Sequence, residues 1–124
     1  PVTPEIMDYG LRFLQRRYGL PVYVTENGTA CNDKIYGDGR VHDVDRIDFT
    51  GKYLKEMEKA IEKGCDIRGY FHWSLMDNFE WNEGYAPRFG LIFVDYRNQE
   101  RIWKDSAYWY RRVIENNGIN FDGK

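Results

Sequence analysis

Two short apolar runs separated by a helical pattern constrain the fold more than any other feature of this chain. The runs occupy residues 22–25 and 67–73, and the helical pattern between them extends from Asp43 or Asp45 to about Lys63. A strand, a helix and a strand at this spacing predict a βαβ unit with parallel strands. Because parallel strands end at the same edge of a sheet, the residues that follow both runs are expected on one rim.

Three further elements complete the predicted order. A first helix starts near Thr3 and ends at Gly19, residues 91–94 and 101–103 form a small hairpin, and a last helix extends from Asp105 to about residue 116. Residues 120–124 are expected to be a frayed tail. The residues expected to face the core are Met7, Leu11, Leu14 and Tyr18, then Ile47, Leu54, Met57 and Ile61, and finally Ala107, Tyr110, Val113 and Ile114.

A carboxylate follows the first strand directly. Val22, Val24 and Glu26 share one face if alternation continues, and Glu26 leads into an Asn27-Gly28 turn. A charge at the edge of an apolar core is costly unless it is used, so this position fits a functional carboxylate. It also fits a solvated residue at the end of a strand.

Two long loops connect the elements. Residues 29–43 are polar and rich in Gly and Asp, which predicts a solvated surface loop; metal binding by Asp33, Asp38, His42 and Asp43 is conceivable, but their spacing fits no common ligand scheme. Residues 74–90 carry too many apolar side chains to stay disordered, and loops of this length are usually functional.

Composition excludes several classes of protein. A net charge of −2 argues against a nucleic-acid or anionic-membrane partner, and no run is long enough to cross a membrane. Cys31 and Cys65 are too few for a disulfide framework, so reduced thiols in a cytoplasmic protein are expected. The 124 residues are enough for one domain, but they are about half of the ~250 residues of an eight-fold β/α barrel.

Two carboxylates and two indoles are expected at the rim formed by the strand ends. Glu26, Trp73, Glu80 and Trp81 would offer hydrogen-bond acceptors and flat apolar faces, which together suit a sugar ring. In the alternative interpretation both indoles belong to the core and Glu80 pairs with Arg88. That alternative explains each residue singly but not their convergence.

The motifs that carry these residues resemble family 1 glycoside hydrolases, the retaining β-glucosidases and β-glycosidases. The similarity lies in Thr-Glu-Asn-Gly at residues 25–28, in His-Trp-Ser-Leu-Met-Asp-Asn-Phe-Glu-Trp at residues 72–81, in Gly84-Tyr85 and in Arg-Phe-Gly at residues 88–90. The resemblance implies an α/β fold that is the C-terminal quarter of a (β/α)8 TIM barrel: helix 6, strand 7, helix 7, strand 8, a small hairpin and helix 8. The chain would be a single incomplete domain over residues 1–124.

The same resemblance implies roles for five residues. Glu26 corresponds to the catalytic nucleophile and Trp73 to the platform beneath the sugar. Glu80 corresponds to the carboxylate that binds the 4- and 6-hydroxyls, Trp81 to the indole that donates to the 3-hydroxyl, and Phe89 to a residue of the same pocket. The Glu80-Trp81 pair implies an unphosphorylated sugar, and the presence of Glu at position 26 rather than Gln distinguishes the chain from myrosinases. Trp103 stands where the family pattern has Pro.

A retaining mechanism needs a second carboxyl group about 5–5.5 Å from the nucleophile. The family supplies it from a Thr-Phe-Asn-Glu-Pro-like motif, which does not occur in this sequence. The expected function is therefore that of a β-glucosidase acting on β-glucosides or cello-oligosaccharides as part of a longer enzyme. The chain alone is expected to be inactive and to need a complementary N-terminal part of the barrel or self-association. No metal or other cofactor is expected. The alternative is a non-catalytic carbohydrate-binding or structural βαβ module.

Overall fold

The computed structural model describes residues 2–119, so the tail expected at residues 120–124 lies outside the described residues. Within the described residues, three α-helices, four strands and one 3-10 turn follow one another. Their bounds are α1 Ile6–Tyr18, β1 Val22–Asn27, α2 Val44–Glu62, β2 Ile67–His72, the 3-10 turn Trp81–Glu83, β3 Ile92–Asp95, β4 Glu100–Trp103 and α3 Asp105–Asn116.

The predicted βαβ unit is confirmed. Strands β1 and β2 pair in parallel, with Val22 opposite Ile67 and Asn27 opposite His72 at the two ends. Helix α2 connects them, and both α1 and α3 pack against α2. Because the strands run the same way, Asn27 and His72 end at one edge, which is the edge predicted to carry the functional residues.

The core lies between β1 and the first two helices. Its buried side chains come from α1, β1, α2 and the connection between α2 and β2, and they are Met7, Leu11, Val24, Tyr53, Ala60 and Cys65. Tyr70 of β2 packs on the edge of this cluster. Small and medium side chains at Val24, Ala60 and Cys65 allow the helices to approach the sheet closely.

Only part of each predicted apolar stripe is buried. Leu14 and Tyr18 of α1, Ile61 of α2 and Ile114 of α3 are exposed. Helix α1 ends as predicted, because Gly19 adopts φ 66° and its N–H donates to the carbonyl of Gln15 at 2.7 Å. The helical periodicity is correct, but it does not report which part of an apolar face has a neighbour.

The hairpin of β3 and β4 is a second, antiparallel sheet that pairs Ile92 with Trp103 and Asp95 with Glu100. It contacts the segment that follows β2 through two backbone hydrogen bonds. The N–H of Ile92 donates to the carbonyl of Leu75 at 2.9 Å, and the N–H of Asp77 donates to the carbonyl of Ile92 at 3.0 Å. The hairpin therefore supports the start of the loop that follows β2.

One face of the β1–β2 sheet has no helix over it within residues 2–119. Tyr23 and Phe71 are 54% and 57% exposed there. A Cβ atom on Gly69 would lie 2.6 Å from the Tyr23 ring and 3.3 Å from the Phe71 ring, so these two aromatic side chains flank the glycine. The outer side of α1 is also apolar, with Tyr9 and Phe13 exposed. None of the helices in this part of the chain is both long and apolar enough to span a lipid bilayer.

Candidate active site

The carboxyl ends of β1 and β2 are joined backbone to backbone. The N–H of Trp73 donates to the carbonyl of Asn27 at 2.9 Å. A Cβ atom at Gly28 would stand 1.8 Å from the carbonyl oxygen of Trp73, which leaves no space for any side chain at that position. The backbone at Asn27 and Gly28, which follows Glu26, is therefore held against the start of the loop that begins at Trp73.

The side chain of Glu26 is exposed. Alternation predicted that it would share the face of Val22 and Val24, and this prediction is not met. The β1–β2 register is irregular between Val24 and Asn27, and Asn27 takes the buried side, where its Oδ1 accepts a 2.8 Å hydrogen bond from the Tyr70 hydroxyl. An extra residue in one strand interrupts the alternation of faces and re-aims a side chain.

Trp73 is near Glu26 in the fold because the backbone bond described above links their segments. Its side chain is 36% exposed. The N–H of the next residue, Ser74, donates to the carbonyl of Phe89 at 3.2 Å, and the N–H of Leu91 donates back to Ser74 at 2.9 Å. These bonds bring the two ends of the loop at residues 74–90 together, so Trp73 and half-buried Phe89 occupy neighbouring backbone segments.

Glu80 and Trp81 lie at the far end of that loop, at the 3-10 turn. The Glu80 N–H donates to Gly84 at 2.6 Å, which closes the turn. Trp81 adopts φ 44° and is 81% exposed, and its indole stacks on no other ring within residues 2–119. Trp81 is therefore not a core residue of the described chain, and its exposed face is available to a ligand or to another chain.

Arg88 does not pair with Glu80, so the alternative interpretation of that residue is wrong. The Arg88 guanidinium donates to Asp77 Oδ2 at 2.5 Å and to the carbonyl of Val94 at 3.0 Å. Its plane also lies over the ring of Phe93, 3.9 Å from the centroid. The half-buried Glu80 carboxylate consequently has no cationic partner in residues 2–119 and stays available as an acceptor.

Six charged side chains form a network beneath these loops that sequence analysis did not predict; we call it the buried ion network. Lys104 Nζ donates to Asp33 Oδ2 at 2.5 Å and to Asp77 Oδ1 at 2.7 Å. Arg46 donates to Asp33 at 2.7 Å, to the carbonyl of Arg88 at 2.6 Å and to Asp43. The network thus comprises Asp33, Asp43, Asp77, Arg46, Arg88 and Lys104.

The expectation of a solvated loop at residues 29–43 is therefore wrong at two of its carboxylates. The side chains of Asp33 and Asp43 are almost completely buried. Asp43 also accepts from the backbone N–H of Ser106 at 2.8 Å. The charged composition that predicts exposure reflects ion pairing here. Asp43 pairs with Arg46 three residues away, but Asp33 pairs with Arg46 and Lys104, which lie 13 and 71 residues away, too far for a local pattern to show it.

Other polar residues of the same loop form hydrogen bonds at the surface that connect the loop to the first residue of α3. His42 Nδ1 lies 2.6 Å from Asp105 and its Nε2 lies 2.9 Å from Asp38. Both hydrogen bonds raise the pKa of His42 above its usual value, and the bond with Asp105 has the larger effect. No three His, Cys, Asp or Glu side chains in residues 2–119 are grouped as a metal site, which leaves Asp33, Asp38, His42 and Asp43 to these hydrogen bonds and ion pairs.

His72, the last residue of β2, is half-buried beside the ring of Tyr110, and the two ring centroids lie 5.8 Å apart. Burial lowers the pKa of His72 to about 4, and the positive charges of Arg46 and Lys104 act in the same direction. The imidazole is therefore neutral near pH 7. It lies behind the rim and offers no charge to it.

Comparison with known proteins gives consistent matches. Residues 1–119 match the family model described as glycosyl hydrolase family 1. The chain is 50% identical over 119 residues to Beta-glucosidase A of Thermotoga maritima, covering 95% of this chain and 27% of the relative. It is 56% identical over 118 residues to the bifunctional beta-D-glucosidase/beta-D-fucosidase of Bifidobacterium breve, covering 91% of this chain and 26% of the relative.

Comparison with solved structures gives matches to the same family. The family 1 β-glucosidase from Thermotoga maritima superposes with a TM-score of 0.94 at 48% identity, covering 97% of this chain and 27% of that one. The same enzyme in complex with isofagomine lactam gives a TM-score of 0.92 at 49% identity, covering 94% and 27% of the two chains. This chain therefore spans about a quarter of the length of the relatives that it matches.

Proposed function

Because the chain belongs to glycosyl hydrolase family 1, we propose that it contributes the nucleophile and half of the sugar pocket to a retaining β-glucosidase. In this proposal residues 1–124 are one incomplete domain, the C-terminal quarter of a (β/α)8 barrel. Helix α1 corresponds to barrel helix 6, β1 to strand 7, α2 to helix 7, β2 to strand 8 and α3 to helix 8. The proposed substrates are β-glucosides and cello-oligosaccharides.

The observation that carries the proposal is the position of Glu26. It is an exposed carboxylate at the carboxyl end of a parallel strand, and the adjacent backbone is bonded to Trp73, which directly follows the neighbouring strand. Active sites of β/α barrels occupy this end of the strands. Within residues 2–119 no cation pairs with Glu26, so its negative charge is available for chemistry.

The proposed chemistry is a double displacement. The Glu26 carboxylate attacks the anomeric carbon of a sugar that lies over Trp73, and the glycosidic bond breaks as a second carboxyl group protonates the leaving oxygen. The resulting glycosyl ester is then hydrolysed by water, which the second group deprotonates. Glu80 would accept hydrogen bonds from the sugar hydroxyls, Trp81 would donate one, and Phe89 would line the pocket.

The second carboxyl group is the part that this chain does not supply. Glu80 is assigned to the ring hydroxyls, and Glu83 is exposed on the 3-10 turn beyond it. We therefore expect the 124-residue chain alone to release no p-nitrophenol from p-nitrophenyl β-glucoside above the buffer rate. Addition of the preceding part of a family 1 barrel should restore release. Clear turnover by the purified chain alone would contradict this division of labour.

The uncovered surfaces imply a partner for the chain. The sheet face at Tyr23 and Phe71 and the outer side of α1 at Tyr9 and Phe13 are apolar and exposed, and β1 pairs only with β2 within residues 2–119. Open strand edges and apolar faces of this kind associate with other chains. We propose that the N-terminal part of the barrel covers them or, in its absence, that the chain self-associates.

Light scattering checks the second half of this proposal. The purified chain should elute as an oligomer at micromolar concentration, and Phe13→Lys combined with Phe71→Lys should shift the mass toward the monomer. A matched change on the polar face of α2, Lys55→Glu, should leave the mass as it was. A monodisperse wild-type monomer at all concentrations would overturn the proposal.

A further inference from the structure

The buried ion network connects the two loops that bear the candidate site residues. We infer that Lys104 and Asp77 are positioning residues, which fix the loop carrying Glu80 and Trp81 relative to the loop that follows Glu26. The inference rests on the proposed function for what these loops bind. The connection between the loops is a property of the fold alone.

Lys104 is the bridge. It is 0% exposed, and its ammonium group joins Asp33 of the loop after β1 to Asp77 of the loop after β2, at 2.5 and 2.7 Å. Its backbone is fixed as well, since its N–H donates to the carbonyl of Leu91 at 3.1 Å. The backbones of the two loops also meet at one antiparallel bridge, where the Cys31 N–H donates to the carbonyl of Arg88 at 3.1 Å. The Lys104 ammonium adds a buried side-chain link between the same two loops at Asp33 and Asp77.

Asp77 closes the loop that carries the pocket. Its Oδ1 accepts from the backbone N–H of Gly90 at 3.0 Å, and its Oδ2 accepts from Arg88 at 2.5 Å. Gly90 lies so close that a Cβ atom there would stand 2.2 Å from the backbone nitrogen of Asp77. One carboxylate thus holds the beginning and the end of the segment that contains Glu80 and Trp81.

The charges of the network are balanced, with three carboxylates against three cations, and Lys104, Arg46, Asp43 and Asp77 are all fully buried. Replacing such a network by apolar residues is often neutral or stabilising, whereas removing one partner leaves an uncompensated buried charge. Stability alone therefore does not account for buried ions at this place. The directional bonds from Lys104 to two different loops account for it, because they specify a single relative position.

Hydrogen exchange of the 124-residue chain, followed by mass spectrometry, tests the inference without any sugar. In Lys104→Met we expect exchange at least tenfold faster in residues 29–33 and 74–92, while α1 keeps its rate. Asp77→Asn, which keeps the shape of the side chain, should accelerate exchange in residues 74–92 in the same way. The double variant should return part of the protection, because it restores the charge balance. Lys52→Met, which removes an exposed ion pair with Asp48, is the matched control and should change nothing.

A second readout reports the site directly. The indole N–H signals of Trp73 and Trp81 should shift or broaden in both single variants, whereas the signal of Trp109, which lies beside Gly51 of α2, should stay in place. If Lys104→Met does not fold, Asp77→Asn carries both measurements. Equal acceleration in α1 and in the loops would show a merely structural role and overturn the inference, as would unchanged loops. Failure of Glu26 to act as a nucleophile would overturn the proposed function and leave these results intact.

Discussion

Glu26→Gln is expected to abolish turnover in the enzyme assembled from this chain and the preceding part of a family 1 barrel. The amide has nearly the same shape as the carboxylate, but it cannot form the glycosyl ester, so the double displacement stops at its first step. Removing one member of such a catalytic pair lowers kcat by roughly 10⁴–10⁶-fold. Release of p-nitrophenol from p-nitrophenyl β-glucoside measures the loss.

Two further measurements identify the nucleophile rather than a generally damaged site. A 2-fluoroglucoside should attach covalently to Glu26 in the assembled wild-type enzyme, and peptide mass mapping should place the adduct in residues 22–34. Glu26→Ala should regain activity with added azide, which attacks the sugar once and gives the α-glucosyl azide, because a single displacement inverts the anomeric carbon. Glu62→Gln, on the exposed end of α2, is the control and should keep full activity. An adduct on another carboxylate, or an active Glu26→Gln enzyme, would refute the assignment.

Gly28→Ala is expected to produce the largest loss of stability from a single methyl group in this chain. The new Cβ atom would have to lie 1.8 Å from the Trp73 carbonyl oxygen and 2.9 Å from its carbon. Both are backbone atoms, so no side-chain rotation relieves the overlap, and the bond from the Trp73 N–H to Asn27 must lengthen or break. We expect the free energy of unfolding to fall by about 3 kcal/mol, as for severe overpacking.

Urea unfolding of the 124-residue chain, monitored by circular dichroism, measures this loss. Gly37→Ala is the matched control, because no atom lies within 4 Å of the Cβ position there, and it should leave stability within about 0.5 kcal/mol of the wild type. The near-ultraviolet signal of Trp73 should also weaken in Gly28→Ala, since the two strand ends separate. A Gly28→Ala chain as stable as Gly37→Ala would show that the strand ends are not in close contact.

Much of the fold could be predicted from local pattern. The order of helices and strands, the parallel pairing of β1 with β2 and the antiparallel hairpin at residues 92–103 all follow from periodicity and spacing. The helix end at Gly19 follows from a single residue. The turn predicted at Asn27-Gly28 is not formed, since Asn27 is the last residue of β1 and Gly28 continues the chain without a turn. The correctly predicted features depend on neighbours in the sequence, and a single sequence contains that information.

The faces of the elements were harder to predict. Leu14, Ile61 and Ile114 continue their apolar stripes but remain exposed, because periodicity states that a helix has an apolar side and not how much of it another segment covers. Glu26 was expected beside Val24, yet the irregular register of β1 against β2 gives the buried side to Asn27. Register is settled by pairing between strands, which no pattern within one strand reveals.

By itself, then, the sequence determined the succession of elements, the common edge at which β1 and β2 end, and the motifs that carry Glu26, Trp73 and Glu80. Only the tertiary structure decided that Asp33, Asp77 and Lys104 are buried together and that Arg88 pairs with Asp77. The physical reason is that burial of a charge depends on partners brought from distant segments. A carboxylate in a polar loop is expected to be solvated from the sequence alone, and it is buried only where the fold places a buried cation beside it.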